Sequence, residues 1–357
     1  VEDPRLQWES LYHANNAAGL GGRAAYLLYE DVAEGRQGWL QALLQLSLGK
    51  HLRLDTGLQY RTLRTTNFAR IKDLLGASFH EDIDPFSGTG NDLDGKLQKK
   101  QGEPFGYHYE SSAGALQPFL QLQYQKGRWE AFAALQYSSQ RYQRKGNYRN
   151  ERFPDTSLGD GSPLAFGDLM GKGGVGYHLG GRHWWSLNGV IGRHAPLLKH
   201  VFVNPRESHQ QVPGLQSEYW SGLEFNYDLR MRGLKGRLTA YYTRMMDKTD
   251  IHFFFVDSGL GSDFVQEVVT GLDHLHMGVE LGLEYEITSS LNASAVMSLG
   301  KYRVGSDPLV TINFDTAGLE DDLINPEGSE ALGPAMLKDY HLSAGPQKAF
   351  SLGLEYR

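Results

Sequence analysis

The sequence predicts an all-β protein, a transmembrane antiparallel up-and-down β-barrel, and three observations carry that expectation. Apolar and polar residues alternate with period two along many short segments. Short polar links alternate with long irregular stretches, the asymmetry that barrels show between their two ends. No apolar run approaches the roughly 18 residues that a spanning helix needs; the longest apolar cluster is 251–256. Backbone groups in hydrocarbon need hydrogen-bond partners, so a membrane crossing by this chain must use strands of a closed sheet.

Composition agrees. The chain holds 19 Tyr, 16 Phe and 43 Gly, yet only 40% of its residues are hydrophobic. Mean hydropathy is −0.45, as a barrel with a wet lumen requires, because alternate residues face water. Lys+Arg 35 against Asp+Glu 42 gives a net charge of −7, with no long basic block, which argues against a nucleic-acid surface. Cysteine is absent, which excludes disulfides, thiolate metal sites and thiol nucleophiles.

About twelve strands are expected in order, near 23–33, 38–49, 52–64, 111–125, 129–142, 167–179, 183–193, 215–230, 236–256, 263–287, 291–304 and 340–357. In the second, Leu40, Ala42, Leu44, Leu46 and Leu48 form one face and Gln41, Gln45 and Ser47 the other. In the fourth, Leu116, Leu120, Leu122 and Tyr124 oppose Gln117, Gln121, Gln123 and Gln125. In the eighth, Leu223, Phe225 and Tyr227 oppose Glu224, Asn226 and Asp228. The tenth sets Val279, Leu281, Leu283, Tyr285 and Ile287 against Glu280, Gly282, Glu284 and Glu286. The last sets Phe350, Leu352, Leu354 and Tyr356 against Ser351, Gly353 and Glu355. Tight links fall at 49–51, 126–128, 180–182, 232–235 and 288–290; long ones at 64–110, 142–167, 194–214, 257–263 and 304–342. Tyr60, Tyr124, Tyr137, Tyr227, Tyr285, Tyr356, Trp129, Trp184 and Trp185 lie near strand ends, where interfacial girdles place amphipathic rings. Alternation alone also fits a soluble sandwich with one wet face; long structureless loops on one side count against it. The last expected strand ends at Arg357, where another short turn is due. Residues 1–357 are therefore read as one barrel domain and an incomplete portion of a larger barrel.

Several segments resemble the barrel region of TonB-dependent outer-membrane receptors, particularly the group with a carboxypeptidase-regulatory-like N-terminal domain. They are residues 7–12 with Asn15, 72–76 with the acidic stretch 80–84, 172–177, 203–206, and 218–227 leading to 235–243. The resemblance implies a barrel of about 22 strands, with a plug domain, signal peptide and last strands lying outside this sequence. It implies uptake of a ligand powered through TonB, in the bacterial outer membrane. Implied partners are TonB, outer-membrane lipid, a small-molecule, metal-chelate or oligomeric nutrient ligand, and a surface lipoprotein over the barrel. A complete small passive porin or adhesin barrel, and a soluble β-sheet carbohydrate-binding module, stand as alternatives.

No enzyme is expected. Motifs G-x-S-x-G, H-E-x-x-H and the P-loop are missing, and no catalytic residue, metal site or cofactor is assigned. Gly171, Gly173 and Gly176 satisfy G-x-G-x-x-G, but Tyr177, His178 and Leu179 continue as strand rather than helix. Glycines on a crowded lumen face are the better account. His274 and His276 share a strand face roughly 7 Å apart, with His252 on the preceding strand as a third ligand in reach; polar residues near an external loop are preferred. Asp92, Asp94 and Gly95 partly imitate a calcium loop, against a solvated acidic loop. Glu280, Glu284 and Glu286 are read as lumen-lining charge rather than acid–base catalysts. Candidate ligand contacts, chosen by placement near outer strand ends, are Phe86, Tyr107, His108, Tyr148, Trp220 and His252.

Overall fold

Residues that alternate in polarity and are joined by tight turns pair with their chain neighbours, and the computed structural model is built that way throughout. It describes residues 6–257, 262–314, 328–343 and 345–357. A helix α1 (Trp8–Asn15) and a 3₁₀ turn precede the strands. These are β1 (Leu28–Ser47), β2 (Leu52–Asp73), β3 (His80–Glu81), β4 (Gln98–Lys99), β5 (Pro104–Lys126), β6 (Trp129–Gly146), β7 (Gly159–Asp160) and β8 (Leu164–Leu179). Then follow β9 (His183–His194), β10 (Glu218–Met231), β11 (Leu234–Asp257), β12 (Ser262–Thr288), β13 (Leu291–Val304), β14 (Leu309–Phe314), β15 (Ser329–Pro334) and β16 (Lys348–Tyr356).

The long strands form one antiparallel sheet in the order β1-β2-β5-β6-β8-β9-β10-β11-β12-β13-β16, with β14 added on β12 and β7 on β6. All five tight links expected from the sequence fall between paired strands. Gly127 (φ 61°) and Gly233 (φ 75°) supply the left-handed backbone that two-residue hairpin turns need.

Several strand expectations change. The expected segments 23–33 and 38–49 merge into one strand, β1, because the gap between them at 34–37 stays paired: Gly35 faces Thr65, and Gly38 just beyond it faces Thr62. A Cβ on Gly38 would lie 2.9 Å from the Thr62 hydroxyl, so glycine lets the strand pass rather than end. The strands also run farther toward the long loops, β2 to Asp73 and β5 from Pro104, which shortens the 64–110 stretch. The expected strand 340–357 contracts to β16, and the 304–342 stretch contains β14 and β15. Parts of that stretch and of 257–263 lie outside the described residues.

Register places the apolar set on one face across the sheet. Leu44 faces Thr56, which faces Leu120, which faces Leu135; farther on, Val279 pairs Leu299, and Met297 pairs Phe350. Large side chains stand open on this face, Leu187 at 47% and Leu223 at 59% exposure. Among the described residues no second sheet or helix layer covers it. An apolar face this extensive belongs against hydrocarbon. Toward the short turns it ends in aromatic rings, with Trp129 on Tyr177 at 4.6 Å and Trp185 on Tyr227 at 4.3 Å. The opposite face is polar: Gln41, Gln59 and Gln117 share one row, and Arg53 donates to Gln123 (2.6 Å), which donates to Asp55 (3.0 Å). Lys235 pairs Glu284 at 3.2 Å across β11 and β12.

The buried clusters sit at the long-loop end. Tyr142 with Ala195, Val201 and Phe202 forms one, and Val203, Val212 and Val268 another. Gly174 and Gly176 are on the polar face, where a Cβ would meet Asn188 at 2.2 Å and Glu130 at 2.6 Å. Gly171 and Gly173 lie instead on the apolar face, opposite Leu135 and Ala133. The lumen-crowding account therefore does not extend to them.

Candidate ligand-binding rim

Above the girdle, β5 and β6 continue upward with Tyr107, Tyr109, Tyr142 and Arg144 turned to the polar side, and the 195–217 loop folds down onto them. That loop folds on its own backbone: Val203 N–H donates to Gln210 O (3.0 Å) and Val212 N–H to Val201 O (2.9 Å). Its apolar side packs on β12 through Val268. At its tip the Asn204 side chain accepts the Arg206 N–H at 3.1 Å, an Asx turn that fixes where Arg206 points.

Arg206 lies over the Tyr107 ring at 4.4 Å. The Tyr107 hydroxyl donates to Asp31 at 2.6 Å, and Arg206 stands 4.0 Å from the same carboxylate. Burial, then the hydrogen bond to Asp31, pushes the Tyr107 phenol well above its ordinary pKa, so it stays a neutral donor. The Arg206 side chain remains 53% exposed. Beside it Arg144 is 1% exposed and donates to Pro205 O (2.6 Å), Ser157 O (2.9 Å) and His209 Nδ1 (2.8 Å). Burial lowers its pKa to about 10, which leaves it charged at neutral pH. Its guanidinium also faces the Tyr109 ring at 5.5 Å.

A second group lies farther round the wall. Trp220 donates to Glu218 at 3.0 Å, and Lys248 stands 3.9 Å from the same carboxylate. His200 faces Asp250 at 3.5 Å. The Tyr241 and Tyr302 hydroxyls meet at 2.6 Å, and the His276 ring lies tilted against Tyr302 at 5.1 Å. A third group, at the tip of β11 and β12, is aromatic: Phe86 packs on Phe255 (5.9 Å) and Phe264 (5.7 Å). Phe253, Phe254 and Phe255 are largely exposed there.

The architecture is that of a known family, whose model, described as TonB dependent receptor-like, beta-barrel, matches residues 5–357. The chain belongs to the TonB-dependent receptor β-barrel family. Among solved structures it is similar to the "Copper transporter OprC", with 16% identity and TM-score 0.53 over 80% of this chain and 41% of that one. The ferric yersiniabactin uptake receptor FyuA from Yersinia pestis aligns at 10% identity and TM-score 0.47, over 79% and 40%. The ferric-catecholate import receptor Fiu from K12 E. coli aligns at 10% identity and TM-score 0.44, over 78% and 41%. This receptor chain thus spans about two-fifths of the structures it resembles. No curated protein matches it.

The six candidate contacts all lie in the loop half of the receptor barrel, but in different settings. Tyr107 is inside the Arg206 arrangement, and Trp220 is in the Glu218–Lys248 group. Phe86 and the exposed His252 belong to the β11–β12 tip. His108 and Tyr148 contact each other at 5.6 Å. Tyr148 is buried, covered by Lys99 at 4.9 Å, and donates to Pro104 O at 2.8 Å, which makes it part of the loop scaffold. His252 does not join His274 and His276. It pairs Glu267, whereas His274 faces Met245, seven positions or roughly 23 Å along the strand. Asp94 is held by Arg149 at 3.2 Å and Asp92 Oδ1 accepts backbone N–H groups. The acidic loop is thus tied internally. Among the described residues no group of three or more His, Cys, Asp or Glu side chains could hold a metal ion. Arg206 and His209 escape a periodicity reading because they are loop residues, and Arg144 because it lies on the strand extension beyond the expected strand 129–142; the Asn-Pro-Arg turn at 204–206 is the one local signal.

Proposed function

We propose that this chain forms about half of the wall of an outer-membrane receptor that takes up a nutrient ligand with energy delivered by TonB. Family membership supports the receptor reading. The observation that carries the ligand site is Arg206: a cation pinned on Tyr107, half open to the lumen side, with no hydrogen bond of its own guanidinium among those found in the described residues. Such a group is prepared for an anionic or strongly polar ligand. The exposed Phe253, Phe254 and Phe255 offer apolar contact farther out, and Trp220 and His252 extend the surface between them. The remaining partners in this reading are outer-membrane lipid around the apolar face and a surface lipoprotein above the loops. The test is accumulation of radiolabelled ferric siderophores, copper, cobalamin and oligosaccharides by cells carrying the full-length protein, with and without TonB. TonB-dependent accumulation of one of these is expected. Steady ion conductance of the purified protein in planar bilayers, with uptake indifferent to TonB, would establish the passive pore instead.

A further inference from the structure

The contact between Arg144 and His209 fixes a protonation state. An arginine can only donate, so His209 Nδ1, 2.8 Å from Arg144 Nη1, must accept and carry no proton. The remaining ring proton sits on Nε2, which faces Leu158 O at 3.3 Å. The same histidine joins two loops through its backbone, donating to Thr156 O at 2.8 Å. The seat is close-fitting: a Cβ on Gly161 would lie 2.8 Å from the His209 ring, and one on Gly146 would lie 1.6 Å from Ser157 O, the other acceptor of Arg144. Arg144 thus gathers the 147–163 loop through Ser157 and the 195–217 loop through Pro205 and His209.

We infer that Arg144 and His209 form a proton-sensitive latch, which holds the 195–217 loop on the inner wall and releases it, with Arg206, on acidification. Protonating Nδ1 removes the acceptor and sets two cations 2.8 Å apart. The charged groups that bear on His209 are Arg144 from β6 and Asp160 of β7, with Tyr109 of β5 and Glu207 of the loop itself bearing on Arg144. Glu207 is engaged by Arg152 at 3.1 Å. Burial first, then Arg144, holds the His209 pKa below 6.5, against smaller opposing effects of Leu158 O and Asp160. A histidine with a depressed folded pKa gives its full stabilisation above the unfolded value and loses it as pH falls below about 6.5. The latch is a property of the loops and holds whether or not Arg206 touches a ligand.

Hydrogen exchange of the full-length protein in detergent, between pH 7.5 and 5.0, reads the latch once intrinsic exchange rates are divided out. Opening constants for peptides from 147–163 and from 204–217, the part of the loop that Arg144 holds, are expected to be flat above pH 6.5. Below it they rise by up to about tenfold per pH unit, while the β5 and β6 shafts stay unchanged. His209→Asn keeps an acceptor at the Nδ1 position and cannot titrate, so the loops stay closed and the slope disappears. His200→Gln removes the buried histidine at the root of this loop, which faces Asp250, Lys248, Lys199 and His252, and leaves the slope of the 147–163 and 204–217 peptides intact. A flat wild-type profile overturns the proposal, as does a slope that survives in His209→Asn or vanishes in His200→Gln. A His209→Asn protein open at every pH also overturns it, because an acceptor would then not be what holds the loop.

Discussion

Adjacent residues of β5 give a direct test of which face meets lipid. Leu120 lies on the apolar face, four positions from Tyr124 of the girdle and four from Leu116, so roughly 13 Å separates it from each. Its partners Thr56 and Leu135 lie in the same band. That puts Leu120 near the centre of an apolar belt about 25 Å tall. Arginine there meets hydrocarbon at its thickest, and Leu120→Arg should cost about 2–4 kcal/mol, or about 30- to 700-fold in the folding equilibrium. Gln121 points the other way, in the row of Gln45 and Asp55. Gln121→Arg therefore gains water and a neighbouring carboxylate, and its cost should stay within about 1 kcal/mol. Urea titration of the full-length protein in lipid vesicles, followed by heat-modifiable gel mobility, measures both. If Gln121→Arg costs as much as Leu120→Arg, or more, the assignment of faces is wrong.

Three other predictions address packing, the loop anchor and the rim. On the polar face Gly57 has no room: a Cβ would sit 2.5 Å from Ala42 O and 2.9 Å from both Leu43 and Phe119. Gly57→Val should cost about 1–3 kcal/mol in the same titration, and an unchanged midpoint would deny the close approach. Asn15 is buried and donates to Tyr26, Leu74 and Leu75 carbonyls while accepting from Ala25 and Tyr26 N–H groups. Asn15→Asp replaces those donors with acceptors and should loosen 8–26 by about 3 kcal/mol, seen as faster hydrogen exchange there and not in β5. Arg206→Ala should weaken binding of the accumulated ligand about ten- to hundredfold with the thermal midpoint unchanged; unaltered affinity removes Arg206 from the site.

Much of the sheet was legible in the sequence because the β period is two and the hairpin turns are short. Leu116 to Gln125 could be read as one strand with an apolar and a polar face from those ten residues alone, and Gly127 and Gly233 marked its kind of turn. The same local reading failed at β1, where residues 34–37 fall in a gap between two expected strands. Cross-strand Thr65 and Thr62 pair with Gly35 and Gly38 as ordinary strand residues, and those partners are 30 and 24 positions away. The candidate contacts were chosen by position near strand ends. That rule selected Tyr107, which lies under Arg206, and equally Tyr148, whose ring is spent on Lys99 and His108.

By itself, then, the sequence determined the alternation, the turn sites and the family, all of which are written within a few neighbouring residues. Tertiary structure alone decided the rim. Asp31, Tyr107 and Arg144 come from three strands, and Arg206 and His209 from one loop. They meet because the 195–217 loop turns inward to bury Val201, Phe202 and Val203. Loop folding of this kind follows from long-range burial and the satisfaction of buried polar groups. Neither leaves a period in the chain.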